Sequence, residues 1–384
     1  MARFDHVFKR RFAMRIGVPK EIKKHEYRVG LTPASVKELT LAGHEVVVQH
    51  DAGTAIGMLD TDYEAAGAKI VAHAGNVFGE AELIIKVKEP QLSECEMLKP
   101  GQVLFTYLHL AADAAQTEAL MKSGAVCVAY ETITAASGGL PLLAPMSEVA
   151  GRLSVQAAAT HLEIVNGGRG VLLGGVPGVA AGRIVILGAG VVGTNALQMA
   201  IGLQAQVTVI DKNLDRLRQL DQIYGGRIST RYSTKNAIEE ALKSADAVIG
   251  AVLLPGAAAP KLVTRDMIEQ MQAGSVVVDV AIDQGGCFET SRPTTHDAPT
   301  FVVDDVVHYC VANMPGAVAR TSTLALNNAT LPHAVTLANK GWQAALAGDE
   351  HLRHGLNVCQ GHVTYQAVAT SLGLPYTDAT KFLS

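Results

Sequence analysis

No apolar run in this chain reaches the ~20 residues that a bilayer-crossing helix needs, and its start lacks the form of a secretory signal. A membrane span and export are both disfavoured. Charged residues are scarce, at 18% of the chain against about 25% in ordinary domains. Such scarcity implies a surface covered by other subunits or by a domain interface, although high alanine and glycine content gives the same figure. Neither sign of charge is in excess. A net charge of −4 and a pI near 6.4 leave no electrostatic footprint for nucleic acid or an anionic membrane, so the expected partners are small molecules and other copies of the chain. Cysteine is sparse and scattered: Cys95, Cys127, Cys287, Cys310 and Cys359 are odd in number and never spaced as CxxC, which disfavours a disulfide framework and a structural zinc site. A reducing, soluble, cytoplasmic setting is expected.

What is present is length and apolar content. With 384 residues, 48% of them hydrophobic, the chain exceeds the size at which a single core keeps growing, and two domains are expected. Residues 1–13, MARFDHVFKRRFA, form a basic extension: Arg3, Lys9, Arg10 and Arg11 stand against Asp5. It reads as a tail, a targeting remnant or an addition from an upstream start, with no catalytic role. From Met14, MRIGVP, HEVVVQ, AELIIKV, QVLFTYL and AVCVAYE read as short strands separated by helical stretches, the pattern of a parallel sheet covered on both faces. Thr32-Pro33 before ASVKELTLAG marks a capped helix start and a glycine stop. SEVAGRLSVQAAATHLE reads as a long helix capped by Ser147, followed by GGRGVLLGGVPGVAAG, a glycine-rich loop or hairpin with seven glycines in sixteen residues.

Strand patterns resume at RIVILG, QVTVID, ADAVIGAV, SVVVDVAI and TFVVDDV, where Asp304 and Asp305 are expected to cap a following helix. From Asn313 onward the pattern is mostly helical. The expected fold is α/β with two doubly wound domains: a Rossmann domain over 142–313 inserted into a discontinuous substrate domain, formed by 14–141 and a helical segment over 314–384.

RIVILGAGVVGTNALQMAIGLQAQVTVID carries the strongest motif. Gly188, Gly190 and Gly193 form GxGxxG between an apolar strand and an Ala-rich helix: the first glycine permits the turn, the second admits a pyrophosphate and the third allows close helix-to-strand packing. A lone GxGxxG is weak. Here a second strand ends in Asp211, 18 residues after Gly193, at the spacing of an acid that accepts from the adenosine ribose and repels a 2′-phosphate. NAD is therefore preferred to NADP, although Lys212 and Arg216 keep the latter open. Leu254-Pro255-Gly256 and Asp283 follow later strands and are expected to close over the cofactor, while Ser233 is either an adenosine neighbour or a surface serine.

Hydride transfer from a carbinol or an amine requires a proton acceptor titrating near neutrality. Of thirteen histidines, His109 in LFTYLHLA is delivered by a strand end, whereas His161 and His333 fall in helical patterns. The ordinary alternative is a core histidine bonded to backbone. Lys86 and Lys88 alternate with Val87, and period two places both lysines on one face unless the strand has already ended; one is expected over a pocket as a carboxylate ligand and the other solvated. Arg28 offers a fork for a carboxylate or makes a surface ion pair. Asp283 either faces the cleft, orienting water or an iminium cation, or caps the DQGG turn; Cys287 lacks a paired base and reads as packing.

These segments, together with LPLLAPMSEVAGRLSVQ, VVVDVAIDQGGCFETSRPTTH and YCVANMPGAVARTSTLALNNATLP, resemble the family shared by bacterial L-alanine dehydrogenases and the amino-terminal part of nicotinamide nucleotide transhydrogenases. The likeness runs from Met14 almost to the last residue. It implies His109 and Asp283 as catalytic residues, Arg28 and Lys88 as ligands of the substrate carboxylate and carbonyl, and Lys88 rather than Lys86 as the functional lysine. It also implies cofactor contacts from Ser147, Asp211, Ser233, Asn313 and Met314 beside the glycines; Arg216, close after Asp211, is expected among the cofactor-binding residues as well. The implied reaction is reversible, NAD-dependent deamination of L-alanine to pyruvate and ammonium, in a metal-free homohexamer whose domains close on the cofactor. A soluble transhydrogenase component and a non-catalytic NAD-binding protein are the competing readings.

Overall fold

The computed structural model describes residues 13–252 and 259–383; the basic stretch over 1–12 and Leu254-Pro255-Gly256 lie outside the described residues. Two compact units form, one running to Pro145 and resuming at Val318, the other spanning Met146–Ala317. Six parallel strands open the first: β1 (Arg15–Val18), β2 (Glu45–Gln49), β3 (Lys69–Val71), β4 (Leu83–Ile85), β5 (Val103–Thr106) and β6 (Val126–Ala129). The second unit supplies β7 (Arg183–Leu187), β8 (Gln206–Asp211), β9 (Ile228–Tyr232), β10 (Ala247–Gly250), β11 (Val276–Asp279), β12 (Thr300–Val303) and β13 (Val306–Tyr309). Two short strands, β14 (Leu356–Cys359) and β15 (His362–Val363), return to the first.

The first sheet runs β15-β14-β6-β5-β4-β1-β2-β3, and the second β12-β13-β11-β10-β7-β8-β9. Both are therefore doubly wound: the chain leaves β1 for β2 on one side, then crosses back to β4 on the other, and β7 repeats the manoeuvre between β8 and β10. In such sheets the crevice for a ligand opens beyond the carboxyl ends of the strands flanking the reversal. Parallel strands covered on both faces should be apolar throughout, and β6 and β11 bury every residue. Val47, Phe78, Ile84, Leu104, Cys127 and Val358 pack in one core, and Leu187, Val248, Val277 and Phe288 in another.

Helix Pro33–Leu41 begins as its sequence implies, with Thr32 Oγ1 accepting from Ser35 N at 3.1 Å and Pro33 at the first helical position. Two local expectations are corrected. The long helix starts at Ala144 rather than Ser147, because Pro145 has no N–H to lose in a first turn. Asp304 and Asp305 cap no helix; with φ of 50° and 59° they form the two-residue turn between β12 and β13, where a left-handed pair matches the twist of the hairpin. The mostly helical C-terminal segment also carries two short strands, β14 paired antiparallel with β6 and β15 with β14. Three apolar residues between Gly355 and Gly361 are too few for periodicity to separate strand from helix.

Candidate active site

Segments following β1, β4, β5 and β6 meet the reversal of the first sheet with a concentration of charge. Arg28 is buried, and its fork is engaged: Nε donates to Glu26 Oε1 at 2.7 Å and Nη2 to Glu26 Oε2 at 2.5 Å. Burial disfavours the guanidinium's charge, but Glu26 outweighs it and leaves the pKa raised. Arg28 lines a cavity of about 260 Å³ with Lys20, Glu21, Glu26, Asp51 and Thr54.

Lys88 comes from the loop beyond β4, its ammonium 3.3 Å from Glu89 Oε2. Burial alone would raise the Glu89 carboxyl, yet Lys88 and a hydrogen bond from Lys23 bring it down to about 2. Lys86 corrects the expectation of one pocket lysine and one solvated: it is wholly buried, donating to Glu21 Oε2 at 2.9 Å and Glu94 Oε1 at 2.7 Å. β4 has already ended at Ile85, so alternation does not govern these side chains.

His109 lies three residues beyond β5 in the left-handed region, φ 53° and ψ 36°, which a non-glycine residue occupies at a cost of ~1–2 kcal/mol. Glu131, just past β6, holds it there. Its Oε1 accepts from His109 N at 2.6 Å and Leu108 N at 3.1 Å, and lies 3.9 Å from His109 Nδ1. The imidazole stacks on Tyr107 with ring centres 5.7 Å apart and planes within 6°, and stays partly open to solvent. Tyr107 is pinned by its hydroxyl to Leu142 O at 2.5 Å, and burial pushes its pKa up against the pull of Arg28. Arg28, Lys88 and His109 thus all belong to the carboxyl edge of one sheet, on the loops after three adjacent strands.

Asp283 belongs to the other unit, exposed on a short 3₁₀ turn after β11. The acid organising that turn is Asp279, buried at the end of β11, which accepts from Ala281 N at 3.2 Å and Cys287 N at 3.0 Å. Burial raises its pKa despite these donors. Gly286 turns with φ +75°, and a Cβ there would sit 2.4 Å from Asp279 Oδ2. Cys287 is buried packing, as expected.

The second unit's reversal holds a cavity of about 550 Å³ lined by Ala189, Gly190, Val191, Thr194, Asn195, Asp211, Asn213 and Arg216. Its lining of glycine-loop backbone and a helix start suits a dinucleotide diphosphate. Gly188 takes φ +99°, a Cβ on Gly190 would meet open space, and one on Gly193 would lie 1.9 Å from Gly188 O. Helix Val191–Gly202 starts at this loop, and Val191 and Thr194 of its first turn line the cavity, where the end of a helix favours an anion. Asp211 accepts from Ala189 N at 2.6 Å and Asn213 N at 2.7 Å, each oxygen keeping lone-pair capacity for ribose hydroxyls. Arg216 folds onto the glycine loop, Nε to Ala189 O at 2.9 Å and Nη2 to Thr194 Oγ1 at 2.7 Å.

Ser233 N bonds Asp211 O at 3.0 Å, which sets that serine beside the acid. Ser147 lies one helical turn before Gly151, whose added Cβ would be 2.2 Å from Val192 O, so this face meets the helix behind the cradle. Asn313 turns the chain beyond β13 with φ +63°, and Met314 after it is buried.

Sequence reasoning missed Glu21, Glu26, Glu94, Glu131 and Asp279. Glu131 and Asp279 end or follow apolar strands, each at the carboxyl edge of its own sheet, a signal available in AVCVAYE and SVVVD; Glu21 reveals itself through partners distant in sequence, and Glu26 and Glu94 look like ordinary loop and helix acids.

Residues 17–150 match the model of "Alanine dehydrogenase/PNT, N-terminal domain", and 154–366 that of its C-terminal domain. An alanine dehydrogenase of Halomonas elongata is 62% identical over 96% of this chain and 100% of its own length. A solved L-alanine dehydrogenase covers 94% of this chain and 99% of its own with TM-score 0.91 and 53% identity. A transhydrogenase from Sinorhizobium meliloti covers 92% and 99% with TM-score 0.79 and 26% identity. The twin doubly wound sheets, the glycine cradle and the near full-length likeness lead to one conclusion: the chain belongs to the alanine dehydrogenase/PNT family.

Proposed function

We infer that the chain is an NAD-dependent alanine dehydrogenase, converting L-alanine, NAD⁺ and water reversibly to pyruvate, ammonium, NADH and a proton. The observation that carries this reading is the 62% identity over 96% of the chain to an alanine dehydrogenase. The cradle of Gly188, Gly190 and Gly193 holds the diphosphate, and Asp211 the adenosine ribose, which favours NAD over its 2′-phosphate. When bound, the nicotinamide supplies the two-electron acceptor for the hydride leaving the substrate Cα.

The chain's own residues do the rest. Arg28, its far edge held by Glu26, and Lys88 grip the substrate carboxylate and the nascent carbonyl, fixing Cα in one orientation. Lys88 also stabilises negative charge on the carbonyl oxygen in the reverse direction. His109 presents Nδ1 to Glu131 and relays protons through Nε2 as water adds to the imine carbon and the carbinolamine expels ammonia. Asp283 stabilises the iminium cation and orients that water. Ser147, Ser233, Asn313, Met314 and Arg216 complete the cofactor's surroundings.

A homo-oligomer, a hexamer by family likeness, is supported by Ile164, Val165, Leu172, Val176 and Val179, apolar side chains exposed in and just before the glycine-rich stretch. Five unpaired, buried thiols support a reducing cytoplasm. Among the described residues no helix is long and apolar enough to cross a membrane.

The test is NADH formation at mildly alkaline pH with L-alanine and NAD⁺, beside NADP⁺, D-alanine and His109→Ala. Turnover with L-alanine and NAD⁺ that the variant loses supports the reaction and the imidazole together. Inert alanine, with NADH reducing a nicotinamide analogue instead, replaces this reading with the transhydrogenase one.

A further inference from the structure

Lys86 takes no part in the chemistry above, yet it is a fully buried ammonium held between two buried carboxylates, 2.9 Å from Glu21 and 2.7 Å from Glu94. Burial opposes its charge, but the two acids prevail and raise its pKa. Such a triad is costly to desolvate and is weak evidence for stability, so its other bonds are the informative ones.

Those bonds all converge on the segment carrying Lys88. Glu21 Oε1 accepts from Val87 N at 2.7 Å and from Lys88 N at 3.2 Å. Glu94 Oε2 accepts from Gln91 N at 2.8 Å. The carbonyl of Lys86 accepts from Tyr130 Oη at 3.0 Å, and that of Lys88 from Thr106 Oγ1 at 2.9 Å. The loop after β4 is thereby fixed on both sides of Lys88, by Glu21 from the segment after β1 and by Glu94, which caps the helix Leu92–Cys95 that follows the loop, and Lys86 fixes both acids in turn. Each oxygen of Glu21 has a separate task, one on the backbone and one on the ammonium.

We propose that Glu21, locked by Lys86 against Glu94, is a positioning residue that sets Lys88 for the substrate carbonyl. This rests on the reading of Lys88 as a substrate ligand. Glu21→Gln replaces one acceptor oxygen with an NH₂ that must face either the ammonium or a backbone N–H, both donors, so the loop loses its anchor while volume is kept.

The test uses the full-length protein in the reductive direction, varying pyruvate and NADH separately. Glu21→Gln is expected to raise the pyruvate KM about tenfold and leave the NADH KM within about twofold of the parent, a split that general loosening of the fold does not give. In a Lys88→Met background it should add nothing further. Should Glu21→Gln fail to fold, the paired change Lys86→Met with Glu94→Gln, which keeps volume and leaves no like-charged pair, is expected to give the same split. An unmoved pyruvate KM, a parallel rise in both KM values, or additivity with Lys88→Met overturns the proposal. If Lys88→Met itself leaves the pyruvate KM unchanged, the reading of Lys88 falls and the positioning role with it; an effect of Lys88→Met without one of Glu21→Gln sinks the positioning role alone.

Discussion

Glu131→Ala should cost this enzyme most of its turnover without touching substrate or cofactor. His109 sits in a left-handed backbone conformation that costs ~1–2 kcal/mol for a non-glycine residue. Against that strain stand the hydrogen bonds of Glu131 to His109 N at 2.6 Å and Leu108 N at 3.1 Å, each worth about 1.5–3 kcal/mol because the acceptor is charged. The bonds therefore exceed the strain. Without them the strain prevails by ~1–2 kcal/mol, the working conformer falls to roughly a tenth of the molecules, and kcat/KM drops tenfold or more. Glu131→Gln keeps one oxygen at reduced strength, since neutral acceptors bind about half as strongly, and its loss should be the smaller. Initial rates of NADH oxidation with pyruvate and ammonium, alongside thermal unfolding, measure both. A Glu131→Ala enzyme with parental kcat/KM, or a glutamine variant as impaired as the alanine one, refutes the argument that the carboxylate holds the imidazole.

Three further outcomes follow from the geometry. Gly193→Ala should raise the NADH dissociation constant at least about a hundredfold in a fluorescence titration, because the new Cβ, 1.9 Å from Gly188 O, forces the glycine loop open; unchanged affinity contradicts the cradle. Asp211→Ala should weaken NAD⁺ and narrow the preference over NADP⁺, read as the ratio of the two kcat/KM values; a preserved ratio shows that the acid does not discriminate. Glu89, depressed to about 2 when folded against 4.5 ordinarily, contributes stability that is complete above pH 4.5 and lost as pH falls through 2. The shift corresponds to about 3 kcal/mol, so acid unfolding of Glu89→Gln should show a shallower pH dependence in that window, and an identical profile rejects the assignment.

The glycine cradle was legible because it is a contiguous motif with its strand, helix and terminal acid in register along the sequence. The alternation of apolar runs likewise revealed two doubly wound sheets. The acids that complete the candidate site were harder to see for a physical reason. Glu21 reaches Lys86, and Glu131 reaches His109, across loops that only the folded sheet brings together, and an isolated acidic residue in a loop looks solvated. Lys86 misled in the same way, since long charged side chains are seldom fully buried unless paired, and one of its partners, Glu21, comes from a distant part of the chain. Asp304-Asp305 misled through chemistry: the short side chain that suits a helix cap also tolerates the left-handed turn of a hairpin.

The antiparallel pairing of β14 with β6 also orders events during synthesis. Cys127 of β6 finds Val358 of β14 only after the whole of the second unit has left the ribosome. Until then β6 presents an open edge of unpaired amides and carbonyls, the kind of template that neighbouring nascent chains can extend. The second unit is contiguous and can complete its sheet at once, whereas the first must hold a partly finished sheet through the longest interval of translation. The residues at greatest risk of misassembly in a crowded cell are therefore those of β6 and its flanking loop, which carries Glu131.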